Sequence, residues 1–393
     1  MNDTSAAAGL VADTGVAYRE VDDAGSFLLH APQRRVDAAG CRMRLPGGPA
    51  ATLAQRVQAF FAQSRHGPAL LVGALPFDPH AGDALYQPER LVAPVPSGAG
   101  TFPALAGGIV AEPSAEAYAD AVAQALQPLR AEGDPLRKLV LARSLRVQAA
   151  QAVDPRALAA RLGRDPSVAT YVVPLPVAAG QAPAWLVGAS PELLVSRRGR
   201  NVVSHPLAGS ARRSGDPAED ARTAEALLAS AKDLDEHRYV VEAIVEALAP
   251  LCSELDAPSR PSLHATATMW HLGTRIAGTL KDPALSAAAL AGMLHPTPAV
   301  CGTPRQPALE AIQALEPVPR GFYAGAVGWT DAAGDGDWYV SIRCAHVQGR
   351  MLRLFAGAGI VAGSQPALEV DETAGKFMAL LNALGIDAER MNR

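Results

Sequence analysis

Apolar residues recur along this chain in two rhythms, one of helix and one of strand. Helical spacing runs through Leu53 to Phe61, then through Tyr118, Val122 and Leu126 ahead of a break at Gly133-Asp-Pro135. It returns at Val240, Val241, Ile244, Val245 and Leu248, and again at Phe377, Leu380, Leu381 and Leu384. Residues 223–230 and an Ala-Leu-rich run ending at His295 read the same way. Short apolar runs bounded by turn residues predict strands at 26–29, 69–75, 138–144, 171–175, 185–189, 190–195, 201–205, 321–329, 338–345 and 351–355. Asp331-Ala-Ala-Gly-Asp-Gly-Asp337 predicts the hairpin turn between two of them. Residues 204–213, with small residues and two arginines, read as a tight polar segment, and residues 91–108, rich in Pro, Gly and Ala, as a loop or connector. Many strands with few helices between them predict a large, mostly antiparallel sheet system.

One stretch near the C-terminus, Arg353 to Lys376, stands out for its chemistry. It reads as a strand (Met351, Leu352, Leu354, Phe355), a glycine-rich bend (Gly357, Gly359, Gly363) and a helix. On that helix Glu369 and Glu372 share a face, with Lys376 one turn beyond. Asp233 and Glu236, also three residues apart, head the helix of Val240 to Leu248. Two acidic pairs, each leading an apolar helix, could together hold Mg²⁺, which prefers oxygen ligands. Acids in a first helical turn also complement the helix dipole while facing solvent, so each pair taken alone has two readings.

Composition narrows the field. Of 393 residues, 49% are hydrophobic and 19% charged, the profile of a globular enzyme. The net charge of −4 argues against a broad basic surface for nucleic acid. Cys41, Cys252, Cys301 and Cys344 lie far apart without metal-ligand spacing, which points to a reducing cytoplasm. The start, Met1-Asn-Asp-Thr-Ser, lacks a signal-peptide layout, and the uncharged runs 167–190 and 283–304 are interrupted by Pro and Gly, so no membrane span is expected. Asp331 to Asp337 lacks the closing glutamate of a calcium loop, and Gly357-x-Gly359 lacks the rest of a dinucleotide fingerprint. Residues 1–110 carry no motif of their own.

Single residues remain open at this level. Lys138 opens an apolar strand; buried, it would be a usable base, but a strand-end lysine ordinarily reaches solvent. Glu192 could be kept protonated by apolar surroundings or simply cap a strand. His205 and His271 read as packing histidines, and Arg343, inside an apolar strand, needs an anionic partner if buried.

Taken together, the segments converge. Lys138-Leu-Val-Leu-Ala-Arg, Gly188-Ala-Ser-Pro-Glu-Leu-Leu, Ser204-His-Pro-Leu-Ala-Gly-Ser-Ala-Arg-Arg, Lys232-Asp-Leu-Asp-Glu-His, His295-Pro-Thr-Pro-Ala-Val-Cys-Gly, Ser341-Ile-Arg-Cys-Ala, Phe355-Ala-Gly-Ala-Gly-Ile-Val and Glu369-Val-Asp-Glu-Thr resemble the chorismate-utilising enzymes. The resemblance covers roughly residues 115–385 and is nearest to isochorismate synthases of the siderophore type. It implies a single large α/β domain, an antiparallel β-sheet sandwich with helices packed outside. Residues 1–110 would be the N-terminal portion of that fold and residues 111–393 its catalytic region. It further implies Mg²⁺ on Glu236 and Glu372, with Asp233 and Glu369 supporting them. Lys138 would be the base and Glu192 the acid. Arg343, the backbone at Gly357 and Lys376 would hold the carboxylates of chorismate, with Gly209, Ser210 and His271 lining the pocket. Ala299 stands where the anthranilate and salicylate branches typically carry threonine, which favours isochorismate as product. Val300 and Val370 depart from the leucine and tryptophan frequent there. The resemblance implies a monomer working without a glutaminase subunit.

Overall fold

The computed structural model describes residues 27–64, 66–93 and 102–386; the expectations for the first residues and for residues 94–101 of the 91–108 loop lie outside these. Two large sheets dominate the described residues. The ten-stranded one runs, edge to edge, through Gly302–Thr303, Lys138–Gln148, Met351–Ile360, Cys344–Gln348, Ala184–Ser190, Ala169–Leu175, Phe27–His30, Arg35–Ala39 and Arg90–Leu91, with Val110–Glu112 beside the Lys138 strand. The nine-stranded one runs through Cys252–Asp256, Ile276–Leu280, Asn201–His205, Leu193–Arg198, Gly336–Val340, Ala326–Asp331, Leu70–Leu75, Ala84–Gln87 and Met43–Arg44. Leu207–Arg212, Met269–Gly273 and Ser262–Ala265 make a third, small sheet. Pairing is antiparallel in each, as the sequence pattern predicts.

The period of two along each strand explains the layering. Phe27, Leu29, Leu139, Leu141, Tyr171 and Val173 point from the ten-stranded sheet into a core shared with Val72, Val195, Trp329 and Trp338 of the nine-stranded sheet. Their neighbours Leu28, Leu145, Val147, Val172 and Val187 point the other way, into a second core closed by the helices Pro155–Leu162 and Pro366–Leu384. Phe377, Leu380 and Leu381 are fully buried there, at about 2 kcal/mol each. That apolar face is what seats the same helix's Glu369 and Glu372 inside the protein.

Four local expectations change. The glycine-rich bend is strand: Met351–Ile360 pairs without interruption against Lys138–Gln148 through Gly357 and Gly359. Glycine is needed there because space is short, not because the chain turns; a Cβ at Gly359 would lie 2.0 Å from Glu236 Oε1. Within the tight polar segment, residues 207–212 are a strand, since their small side chains pack beneath the Ala231–Leu248 helix. Residues 321–325 form turns tied to the break after Val340, with Ala324 N–H donating to Ser341 O at 2.8 Å and Ser341 N–H to Gly325 O at 2.9 Å. The predicted strand 338–345 is two strands in two sheets, Gly336–Val340 and Cys344–Gln348. The chain crosses between the sheets at Arg343, whose φ of 51° is left-handed and ends extended pairing.

Candidate active site

The ends of these elements meet around a narrow inner chamber with about 60 Å³ of free space. Among the residues expected at the site, Glu192, Gly209, Ser210, Glu236, His271, Ala299, Arg343, Gly357 and Lys376 line it. Lys138, Asp233, Glu369 and Glu372 do not reach its surface and stand behind Glu236, Gly209, Ser210 and Lys376. Tyr323 also lines the chamber, stacked on Phe355 at a centroid distance of 4.8 Å, and nothing in the sequence singles it out.

Lys138 is fully buried, against the expectation that a strand-end lysine reaches solvent. Its strand is inserted between Gly302–Thr303 and Met351–Ile360, so its first residue is already inside the sheet. A buried ammonium needs an anion, and its Nζ lies 3.2 Å from Glu236 Oε1. Lys138 therefore faces a carboxylate rather than the open chamber.

The two acidic pairs do converge, with lysines between them. Lys376 Nζ donates to Glu372 Oε1 at 2.5 Å and to Gly357 O at 3.0 Å, and Ser210 Oγ donates to the same Glu372 oxygen at 3.0 Å. Lys232 Nζ lies 2.9 Å from Glu369 Oε1 and 3.9 Å from Glu372 Oε2, joining the two helices. Asp233 Oδ2 accepts from Ser230 Oγ at 2.5 Å, the N-cap of its own helix. Lys232 is a site residue the sequence reading passed over; its signal was its place four residues before Glu236 on the helix. Burial would raise the Glu372 carboxyl, but Lys376 and Lys232 outweigh it and hold that group below the usual range. Burial and the neighbouring Glu372 charge push Glu369 upward.

The donor set suits a hard cation. It is made of carboxylate oxygens, and Glu236 Oε2 and Glu369 Oε2 are buried without hydrogen-bond partners. The missing side chain at Gly359 leaves the Glu236 carboxylate its place. Among the described residues, however, no three Asp, Glu, His or Cys side chains close on one point as a finished cage. Ammonium groups stand between the carboxylates.

Across the chamber Glu192 is buried, and loss of solvent pushes its carboxyl up to about 8, against the pull of Lys138, Lys376 and Arg343. It is therefore mostly protonated at neutral pH. Burial and the neighbouring Arg343 hold His271 well below the usual imidazole range, so it is neutral and its Nε2 can face the guanidinium, 3.5 Å from Arg343 Nη2. Arg343 is buried without a carboxylate partner among the described residues, the anionic partner its position called for.

A second layer fixes these groups. Arg320 pairs with Glu316 and donates to Val300 O at 2.6 Å and Val140 O at 2.7 Å, while Ala142 N–H donates to Glu316 Oε1 at 2.8 Å. One buried ion pair thus ties the Lys138 strand to the loop carrying Ala299. Arg143 donates to Thr373 Oγ1 at 2.8 Å and to Val370 O at 3.2 Å, clamping the helix turn that bears Glu369 and Glu372.

Comparison with known proteins identifies the family. The family described as chorismate binding enzyme matches residues 103–385. Isochorismate synthase DhbC of Bacillus subtilis is 44% identical over 92% of this chain and 94% of its own length. Isochorismate synthase EntC of Escherichia coli is 38% identical over 92% and 95%. The crystal structure of a Bacillus anthracis protein assigned as a 2,3-dihydroxybenzoate-specific isochorismate synthase, DhbC, superposes with a TM-score of 0.86 at 42% identity, covering 93% of this chain and 97% of that one. The chain belongs to the chorismate binding enzyme family.

Proposed function

We propose that the chain is an isochorismate synthase, an isomerase that adds water at C2 of chorismate and releases the C4 hydroxyl. The observation that carries this reading is Glu192: a carboxyl pushed up to about 8 in a chamber it shares with Arg343 and Lys376. Hydroxide leaves poorly unless a proton is delivered, and a carboxyl still protonated at pH 7 can deliver one. Arg343, the backbone at Gly357 and Lys376 hold the two substrate carboxylates, with Gly209, Ser210 and His271 shaping the walls. Lys138, freed from its contact with Glu236, takes a proton from the attacking water. The oxygen of that water bonds C2, both ring double bonds shift in sequence (C1=C2 to C1=C6 and C5=C6 to C4=C5), and the C4–O bond breaks as Glu192 gives its proton to the departing oxygen. One water enters and one leaves, so the net change is isomerisation. Mg²⁺ would be held by Glu236 and Glu372, with Asp233 and Glu369 behind them, and would supply counter-charge to a substrate carboxylate.

Ala299, at the chamber wall, leaves no hydroxyl where the eliminating branches typically have one. This supports release of isochorismate without loss of pyruvate. With water as nucleophile, no glutaminase subunit is required, and we place the protein in the cytoplasm as a monomer. No helix among the described residues is long and apolar enough to cross a membrane. The likeness to the Bacillus anthracis structure assigned as 2,3-dihydroxybenzoate-specific supports a place in siderophore synthesis of that type. The described part of residues 1–110 belongs in this reading to the same fold, because the strands Phe27–His30 and Leu70–Leu75 are internal to its sheets. Incubation of the protein with chorismate and Mg²⁺ followed by product separation tests the reading. Isochorismate alone is expected; salicylate with pyruvate, or anthranilate formed only with ammonia, would overturn it.

A further inference from the structure

The inner chamber has room for a few waters as it stands, far less than a ring bearing two carboxylates needs. Beside it lies a larger cavity of about 340 Å³, lined, apart from Arg343, by residues assigned no role above. The two spaces share two residues, Pro191 and Arg343. Arg343 is thus the partition. Its guanidinium makes one polar contact among the described residues, the 3.5 Å approach to a neutral His271, so no ion pair holds it in place.

The outer walls are electropositive. Arg161 and Arg164 come from the helix Pro155–Leu162 and the loop after it, and Arg343 closes the inner end. Arg161 Nη1 donates to Ala383 O at 2.8 Å, but its Nε is buried without a partner. Arg164 is exposed and has no carboxylate partner among the described residues. The single acid on these walls, Asp165, is already engaged: Ser167 N–H, Ser167 Oγ and Ala267 N–H donate to it at 3.0, 2.5 and 2.7 Å. A cavity lined by cations with low-dielectric walls raises the local concentration of anions.

We propose that this outer cavity is an antechamber for dicarboxylates, and that substrate and product of the inner site pass through it, handed from Arg161 and Arg164 to Arg343. The proposal rests on the functional reading above for the identity of the dicarboxylate. An anion arriving from the outer side gives Arg343 the partner it lacks, and the guanidinium need only turn with it to open the partition.

Two variants that avoid the inner chamber test it: Arg164→Glu, which reverses one wall charge, and Ala379→Trp, which fills the cavity from the last helix. With chorismate and saturating Mg²⁺ at low ionic strength, each should lose about tenfold in kcat/KM with kcat retained, and the Arg164→Glu loss should shrink in high salt. Isophthalate, an inert aromatic dicarboxylate, titrated calorimetrically into the metal-free protein, should bind more weakly to Arg164→Glu and equally well to Glu192→Gln. If Ala379→Trp does not fold, Thr268→Trp on the opposite wall replaces it. Chorismate turnover within twofold of wild type in both variants, with isophthalate binding unchanged, would overturn the antechamber. An inactive wild type whose isophthalate binding still depends on Arg164 would instead sink the functional reading and leave the antechamber standing.

Discussion

Lys138 Nζ and Glu236 Oε1 face each other at 3.2 Å, both buried. Removing one member of a buried pair strands the other's charge, which costs about 3–5 kcal/mol. Lys138→Met should therefore destabilise the metal-free protein by that order and lower turnover of chorismate about 10²- to 10⁴-fold. Adding Glu236→Gln should recover most of the stability and none of the activity. Chemical denaturation of both variants beside wild type reads the first effect; a double variant no more stable than Lys138→Met would show that the pair is not coupled.

Glu192 sets a pH dependence with a definite sign. Its carboxyl titrates near 4.5 when unfolded and near 8 in place. Between these values the folded chain holds a proton the unfolded chain has released, so stability from the neutral form is full below pH 4.5 and is lost as pH rises through 8. Between pH 6 and pH 9 the loss should be on the order of 3 kcal/mol, and Glu192→Gln, neutral at every pH, should not show it. Catalysis should follow the same proton: wild-type kcat/KM falls above pH 8, whereas Glu192→Gln is low throughout, by about 10²- to 10⁴-fold. Unfolding free energies and rate profiles from pH 6 to 9 check both.

Gly359→Ala would place a methyl 2.0 Å from Glu236 Oε1 and 2.5 Å from its Cδ. The carboxylate must move, at about 1–3 kcal/mol in folding stability. Mn²⁺ binding, followed by paramagnetic resonance as a stand-in for Mg²⁺, should weaken about ten- to a hundredfold. At Gly363, where a new Cβ meets nothing within 4 Å, the same substitution should leave binding unchanged.

Much of this could be read from the chain, and what could not has a common cause. The short apolar runs in 138–144 and 171–175, and the i, i+4 spacing of Val240 to Leu248, specify local structure that depends on near neighbours. The acidic pairs were visible for the same reason. The burial of Lys138 was not, because it depends on which strands flank it, Gly302–Thr303 and Met351–Ile360, far away in sequence. Gly357 and Gly359 look like a bend because glycine usually serves one, yet here they make room for Tyr323 and Glu236 from other elements. Nor does the sequence around Arg343 say that the chain changes sheets there. The ammonium of Lys232 and the carboxylates of Glu369 and Glu372 are separate letters until two helices are brought side by side.

Those lysines make the acidic site its own ion exchanger. Lys138, Lys232 and Lys376 already neutralise Glu236, Glu369 and Glu372, so an incoming divalent ion meets a nearly balanced lattice and must evict ammonium groups to enter it. An evicted Lys376 is then free to greet an anion. Loading of the ion and of the dicarboxylate should accordingly be mutually reinforcing: Mn²⁺ should bind more tightly in the presence of product, and product more tightly in the presence of Mn²⁺, by one and the same factor. Calorimetric titrations in both orders measure the two factors, and independence of the two ligands would show that the lysines do not travel.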